Sequence, residues 1–212
     1  MKKFKAVLFD VDGTLLDTEE FIYKAFKYTL KKHNLPTITK TQVLKIVGQQ
    51  LEKTYKILSN SDNVVEYCET HRSFQVKNLH LSKPFPNTIK ALRKIKKAGL
   101  KIAAVTSRSK RTSQKTLELA NIYEYFDLLI SSEDVKNHKP HPEPLLKALN
   151  NLGIKSQNAV MVGDTKFDIE AGKNAKVKTI AAAYGFHKDR VKASSPDFII
   201  RDIIDILPII TK

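Results

Sequence analysis

Short apolar runs recur along the chain, and each opens into a polar turn. Ala6-Val7-Leu8-Phe9, Ile102-Ala103-Ala104-Val105, Leu128-Leu129-Ile130, Ala159-Val160-Met161-Val162 and Thr179-Ile180-Ala181-Ala182-Ala183 are the clearest, with Phe198-Ile199-Ile200 as a weaker sixth. These runs are apolar on consecutive residues and do not alternate with polar ones. That pattern suits strands covered on both faces, as in a parallel sheet. Between them lie helical periodicities. Ile89, Leu92 and Ile95 predict a helix that stops at Gly99, and Pro142 to Leu152 predicts another that stops at Gly153. Strands alternating with helices predict a doubly wound, Rossmann-like α/β layer around a parallel sheet.

One interval breaks the alternation. From about residue 17 to residue 83 there is no buried-strand run, only helical patterns: Phe21, Ile22, Ala25, Phe26 and Leu30; Val43 to Val47; Leu51, Tyr55 and Leu58; Val64 to Val76. The return to the sheet is marked by Lys83-Pro84-Phe85-Pro86-Asn87, a stretch that cannot continue a helix. The expected organisation is therefore a core formed by residues 1–16 and 84–212, with a helical domain inserted at 17–83.

In an open parallel sheet, ligands gather outside the carboxyl ends of the strands. There the sequence places Asp10-Val11-Asp12-Gly13-Thr14 after the first run, Thr106-Ser107-Arg108 after the second, and Gly163-Asp164-Thr165 with Asp168 after the fourth. The loop Asn137-His138-Lys139-Pro140-His141-Pro142 adds a lysine in a stiff setting. Asp10, Asp12 and Asp164 ionised at one locus repel one another and require a cation. Oxygen ligands without His or Cys favour Mg2+. Asp10 and Asp12 can reach one site only if the strand breaks at Asp10 and Gly13 turns the chain. Thr106, the backbone near Ser107 and the ammonium of Lys139 suit a phosphoryl group. Together these residues make a set for phosphoryl transfer through an aspartyl-phosphate.

The four segments Asp10-Val11-Asp12-Gly13-Thr14, Thr106, Lys139-Pro140 and Gly163-Asp164-Thr165-Lys166-Phe167-Asp168 resemble, in order, the motifs of the haloacid dehalogenase-like hydrolases. The helical insert resembles that superfamily's C1-type cap. The resemblance implies Asp10 as nucleophile and Asp12 as general acid and then base. It implies Mg2+ held by Asp10, the Asp12 carbonyl and Asp164, phosphate bound by Thr106, Ser107 and Lys139, and Asp168 in support of Lys139 or of a metal-bound water. A second aspartate at position 12 argues for phosphate esters, because an alkoxide leaving group needs a proton and a halide does not. The fourth motif is more similar to the phosphoglycolate phosphatase and pyrophosphatase branch than to the β-phosphoglucomutases, which usually carry a Glu-Asp pair there. The expectation is a phosphatase acting on a small phosphorylated metabolite. A phosphosugar mutase, or a phosphatase acting on nucleotides or nucleic-acid termini, stays open as an alternative. A non-enzymatic nucleic-acid-binding protein is the remotest reading. Gln49 and Gln50, in a break between helical patterns, are candidates for the leaving group, and Arg108 for a substrate carboxylate.

Composition changes this picture little. The chain has 212 residues, 42% hydrophobic and 28% charged, which is ordinary for a folded domain with a substantial core. Its 37 Lys and Arg against 22 Asp and Glu give a formal charge of +15. Only six of those cations are arginines, and the lysines are dispersed with no basic arm, which argues against nucleic acid as the partner. No run approaches the length of a membrane span, and Met1-Lys2-Lys3-Phe4-Lys5 has the charge of a signal peptide without its apolar stretch. A cytoplasmic monomer or homodimer is expected. Cys68, the single cysteine, reads as a packing residue, His138 and His141 as loop residues without a third metal ligand, and Tyr123, Tyr125 and Phe126 as helix-end packing.

Overall fold

The computed structural model describes residues 4–211; Met1, Lys2 and Lys3 at the start, and Lys212, lie outside them. The chain begins with β1 (Ala6–Phe9) and β2 (Leu16–Asp17) and then runs through α1 (Glu19–Lys32), α2 (Lys40–Ile46), α3 (Leu51–Ser59) and α4 (Val65–Lys77). It returns through β3 (Lys83–Pro84), α5 (Thr88–Lys97), β4 (Lys101–Val105), α6 (Lys110–Leu119) and β5 (Leu128–Ile130). It ends with α7 (Glu143–Leu152), β6 (Ala159–Gly163), α8 (Lys166–Asn174), β7 (Lys178–Ala182), β8 (Phe198–Ile200) and α9 (Leu207–Ile210). All six apolar runs are strands, and α5 and α7 stop where expected, beside Gly99 and at Gly153.

Six strands form one parallel sheet in the order β5-β4-β1-β6-β7-β8. The period-two geometry of a strand divides each apolar run between two cores. Val7, Phe9, Ile102, Ala104, Val160 and Val162 pack with Leu92 and Ile95 of α5 and Leu117 of α6 on one face. Ala6, Leu8, Ala103, Val105 and Met161 pack with Leu145 and Leu149 of α7 and Ala171 of α8 on the other. Strand order reverses on either side of β1, so the crevice at its carboxyl end is the topological switch point where such sheets bind ligands.

Helices α1 to α4 share their own apolar cluster, built on Phe21, Phe26, Leu30, Val43, Tyr55 and Cys68, with Phe186 entering from the segment after β7. Cys68 is buried there, as its packing role requires. One feature is absent from the sequence pattern. The two chain crossings pair with each other, Leu16 opposite Pro84 and Asp17 opposite Lys83, as a two-stranded antiparallel ribbon. Asp17 also accepts a hydrogen bond from the Glu19 N–H, while Thr18 occupies the N-cap position of α1. Tyr123, Tyr125 and Phe126 pack partly buried against the core. Among the described residues, no helix is long and apolar enough to cross a membrane.

Candidate active site

β1 delivers the first two carboxylates. Asp10 continues the strand by one ladder bond, its N–H donating to the Val162 carbonyl at 2.9 Å. The chain then folds back, with the Leu15 and Leu16 N–H groups donating to the Val11 carbonyl at 3.0 Å and the Gly13 N–H donating to the Leu16 carbonyl at 2.8 Å. Gly13 has φ +83°, a conformation side chains rarely adopt, and a Cβ there would lie 2.4 Å from Asp164 Oδ2. A Cβ at Gly185 would lie 2.1 Å from the Gly13 carbonyl oxygen. These two glycines let the turn after β1 close directly onto the carboxylate at the end of β6.

Lys139 lies on the loop between β5 and α7. That loop is tied down by Glu143, whose carboxylate accepts the Lys136 and Asn137 N–H groups at 2.8 and 3.0 Å. The Lys139 ammonium donates to Asp10 Oδ1 at 2.6 Å, Asp168 Oδ1 at 2.5 Å and the Val105 carbonyl at 3.1 Å. Three acceptors match the three protons of an ammonium, which is how a buried lysine keeps its charge. Burial opposes that charge, but Asp10 and Asp168 outweigh it and hold Lys139 above the ordinary lysine range. Asp168 serves two structures at once. It holds Lys139, and its other oxygen accepts the N–H and hydroxyl of Thr165 at 3.1 and 2.6 Å in a capping box that starts α8.

The negative charge is only partly balanced. Burial, reinforced by repulsion from Asp168 and Asp12 and opposed by Lys139, pushes Asp10 up to about 7. Burial, with Asp168 and Asp10 adding to it, raises Asp164 well above the carboxylate range. Asp164 is fully buried and makes no ion pair among the described residues. Among the described residues it accepts the Phe186 N–H at 2.8 Å and the Thr14 hydroxyl at 3.3 Å. One oxygen each of Asp10, Asp164 and Asp168 lies within 4.8 Å of the others. A buried cluster of hard oxygen donors with excess negative charge fits a divalent cation. Asp168 thus joins Asp10 and Asp164 in the side-chain cluster. The carboxylate of Asp12, expected as general acid and base with only the residue's carbonyl at the metal, accepts from Arg108 Nη1 at 3.2 Å.

These groups open into a cavity of about 300 Å3 between the sheet rim and the inserted helices. Thr106, Ser107, Arg108 and Lys139 line it from the core, and Gln49 and Gln50 from the insert, so every candidate site residue except Asp164 borders it. Thr106 is held at the end of β4 by the Arg108 N–H, which donates to its hydroxyl at 3.2 Å. Ser107 donates its hydroxyl to the Gly48 carbonyl at 3.4 Å, bridging core and insert. His141 is a loop residue as expected, its Nδ1 accepting the Glu143 N–H at 3.2 Å, while His138 lines the cavity.

Three contributors escaped the sequence reading, Gly185 and the pair His71 and Gln75 on α4, and Thr14 was named in the first motif without a role. The buried positions of α4 are Cys68, Thr70, His71 and Gln75, so its inward face is largely polar. Spacing of three and four residues between Cys68, His71 and Gln75 was the available signal, but a search for apolar stripes passes over it. His71 is 2% exposed, and its Nδ1 lies 2.8 Å from the Tyr55 hydroxyl. Burial, with the charges of Arg108 and Arg72 adding to it, lowers His71 to about 3, so the ring is neutral at physiological pH. The unfolded chain takes up this proton near 6.5 and the folded protein does not, so His71 removes stability as pH falls below that value. Between pH 7 and pH 5 the loss should approach about 2 kcal/mol. Urea unfolding of wild type and His71→Gln across this range should show the variant losing less stability on acidification.

The comparisons agree with the fold. The family model described as haloacid dehalogenase-like hydrolase matches residues 7–182, and the chain belongs to that family. A pyrophosphatase PpaX from Halalkalibacterium halodurans is 34% identical over 210 residues, covering 98% of this chain and 97% of the relative. A crystal structure described as a predicted phosphoglycolate phosphatase from Haemophilus somnus matches with a TM-score of 0.87 at 26% identity over 99% of each chain. A haloacid dehalogenase-like family hydrolase from Streptococcus pneumoniae superposes with a TM-score of 0.88 at 24% identity, over 99% of each chain.

Proposed function

We propose that this protein is a Mg2+-dependent phosphatase that hydrolyses a small phosphorylated metabolite through an aspartyl-phosphate on Asp10. The observation that carries the reading is the buried Lys139 ammonium, fixed between Asp10 and Asp168 at 2.6 and 2.5 Å in a cavity that Asp12 and Thr106 share. The names of the relatives, one a pyrophosphatase and one a phosphoglycolate phosphatase, support the same class.

In this reading an Asp10 oxygen attacks phosphorus as the bond from phosphorus to the leaving oxygen breaks, and Asp12 supplies the proton that oxygen takes. Water then attacks the phosphorus of the aspartyl-phosphate. Asp12 takes its proton, the bond to Asp10 breaks and inorganic phosphate departs. Lys139 and the Thr106 hydroxyl, with the backbone at Ser107, hold the phosphoryl oxygens, and Asp168 keeps Lys139 in place. Mg2+, held by Asp10, Asp164 and the Asp12 carbonyl, would offset the charge that develops on the transferring group. Residues 17–83 act as the cap of a core formed by 1–16 and 84–212. Their Gln49 and Gln50 face the leaving group, and a cavity this small suits a metabolite better than a polymer.

The test is phosphate release from a panel containing pyrophosphate, phosphoglycolate, sugar phosphates and nucleotides, with Mg2+ and with chelator. Release that requires Mg2+ is the expected result. Conversion of one sugar phosphate into its isomer would establish a mutase instead, and no metal-dependent release from any compound would overturn the reading.

A further inference from the structure

The chain has six arginines, and five of them are exposed. Arg108 is the exception: its side chain is 9% exposed, inside the seam between core and insert. A guanidinium withdrawn from water this far costs stability unless its donors are matched. Here the match is incomplete. Nη1 donates to Asp12 Oδ1 at 3.2 Å, Nη2 to the Thr116 hydroxyl at 2.8 Å and the Thr112 carbonyl at 3.2 Å, and Nε is buried with no partner. The Phe21 ring of α1 lies 5.1 Å from the guanidinium carbon.

We propose that Arg108 is a specificity-determining residue that binds a negative charge carried by the substrate's leaving group, so that the enzyme prefers substrates bearing a second anion next to the scissile phosphoryl group. The inference rests on the phosphatase reading above and deepens it. Its core is a juxtaposition. Asp12, the residue that protonates the leaving oxygen, is the residue that Arg108 touches, so the atoms attached to that oxygen pass beside the guanidinium. Arg108 borders the same cavity, and its backbone N–H fixes Thr106 at the phosphoryl end. The position thus spans from the transferred group to what departs. On the insert side the lining holds the uncharged His71, Gln75, and Arg72 paired with Glu52, whose charges offset each other; Glu133 lines the cavity from the core. Within about 300 Å3 the leaving group is small, so its anion lies close to the phosphoryl group. A carboxylate and a second phosphoryl group offer the fork of Arg108 the same paired oxygens.

The test uses the full chain with Mg2+ and compares kcat/KM for three compounds: pyrophosphate, phosphoglycolate and glycerol phosphate, the last with an uncharged leaving group. The readout is the ratio of each anionic compound to glycerol phosphate. A general effect of the mutation on Asp12 cancels for phosphoglycolate, which also loses an alcohol, and would raise the ratio for pyrophosphate, whose leaving phosphate needs little protonation. A fall in either ratio therefore reports the lost anion contact. Arg108→Gln should lower the ratio about tenfold to a hundredfold, the range for a lost charge-assisted hydrogen bond. Arg108→Lys keeps the charge without the planar fork and should fall between Gln and wild type. The compound whose ratio falls more identifies the anion as carboxylate or phosphoryl. A ratio unchanged within about threefold, in whichever variant folds, overturns the proposal, as does a wild type that prefers glycerol phosphate. If wild type releases no phosphate from these three or from any other compound of the panel above, the phosphatase reading itself fails. Release from uncharged-leaving-group compounds alone overturns the proposal, and both outcomes are seen before any variant is made.

Discussion

Asp10→Asn is expected to abolish turnover, with phosphate release lowered by about 10^4-fold or more, in a protein that folds as well as wild type or better. The carboxamide oxygen can still accept the Lys139 ammonium, but it is a poor nucleophile. The stability half of the expectation follows from burial. Asp10 titrates near 3.8 when unfolded and about 7 when folded, so the wild-type protein loses stability as pH rises through that window, where the unfolded chain gives up a proton that the folded one keeps. Asparagine has no proton to lose. In chelator the variant should therefore gain on wild type between about pH 4 and pH 7, by up to about 1 kcal/mol per pH unit. Urea unfolding at a series of pH values measures this, and a variant less stable than wild type at pH 7 would contradict it. A colorimetric phosphate assay on the same preparations supplies the other half. Activity that survives would place the nucleophile elsewhere.

Lys139→Ala should be costly in both respects. The ammonium has its three acceptors in Asp10, Asp168 and the Val105 carbonyl and is 7% exposed, so its removal leaves buried carboxylates facing one another across a void. Breaking a buried pair in this way costs about 3–5 kcal/mol. Unlike Asp10→Asn, this variant should recover part of the loss when Mg2+ is added, because a divalent cation at the carboxylate cluster replaces some of the missing charge. Activity should remain absent even where folding is restored, since the phosphoryl group has lost its cation. Lys139→Arg is not expected to rescue, because the planar fork cannot occupy a site shaped for a compact ammonium with three convergent acceptors. Thermal unfolding of the three proteins with and without Mg2+ distinguishes this account from simple loss of packing, which the cation would not repair.

Much of this architecture can be read in the chain because the strands are covered on both faces. A run such as Ala159-Val160-Met161-Val162 feeds two cores at once and leaves no polar position to confuse the pattern. The gathering of candidate residues at the rim was legible for a related reason. Carboxylates directly after buried strands, and a lysine in a stiff loop at the same rim, have no structural purpose that the strands themselves require. What stayed hidden depends on long-range geometry. The β2–β3 ribbon is two residues on each side, too short for any periodicity. Gly185 matters only because the turn after β1 lies against it. The carboxylate of Asp12 could have faced a metal, a phosphate or a cation, and only the folded seam shows that it faces Arg108. His71 and Gln75 are polar residues turned inward, where periodicity is a poor guide because the face they occupy borders a cavity as well as the apolar cluster.

The ribbon formed by Leu16-Asp17 and Lys83-Pro84 means that the sixty-odd residues between them enter and leave the core side by side. An insertion whose ends are already hydrogen-bonded to each other adds little to the order that the remaining chain must find. Its own length hardly changes the entropy of closing the loop. The sheet register is set by β1 and β4, and neither depends on what the ribbon carries. A chain of this layout can exchange one helical cassette for another, or for a tight turn, while the aspartates after β1 stay where they are. Recognition and chemistry are thereby free to diverge at different rates within one polypeptide.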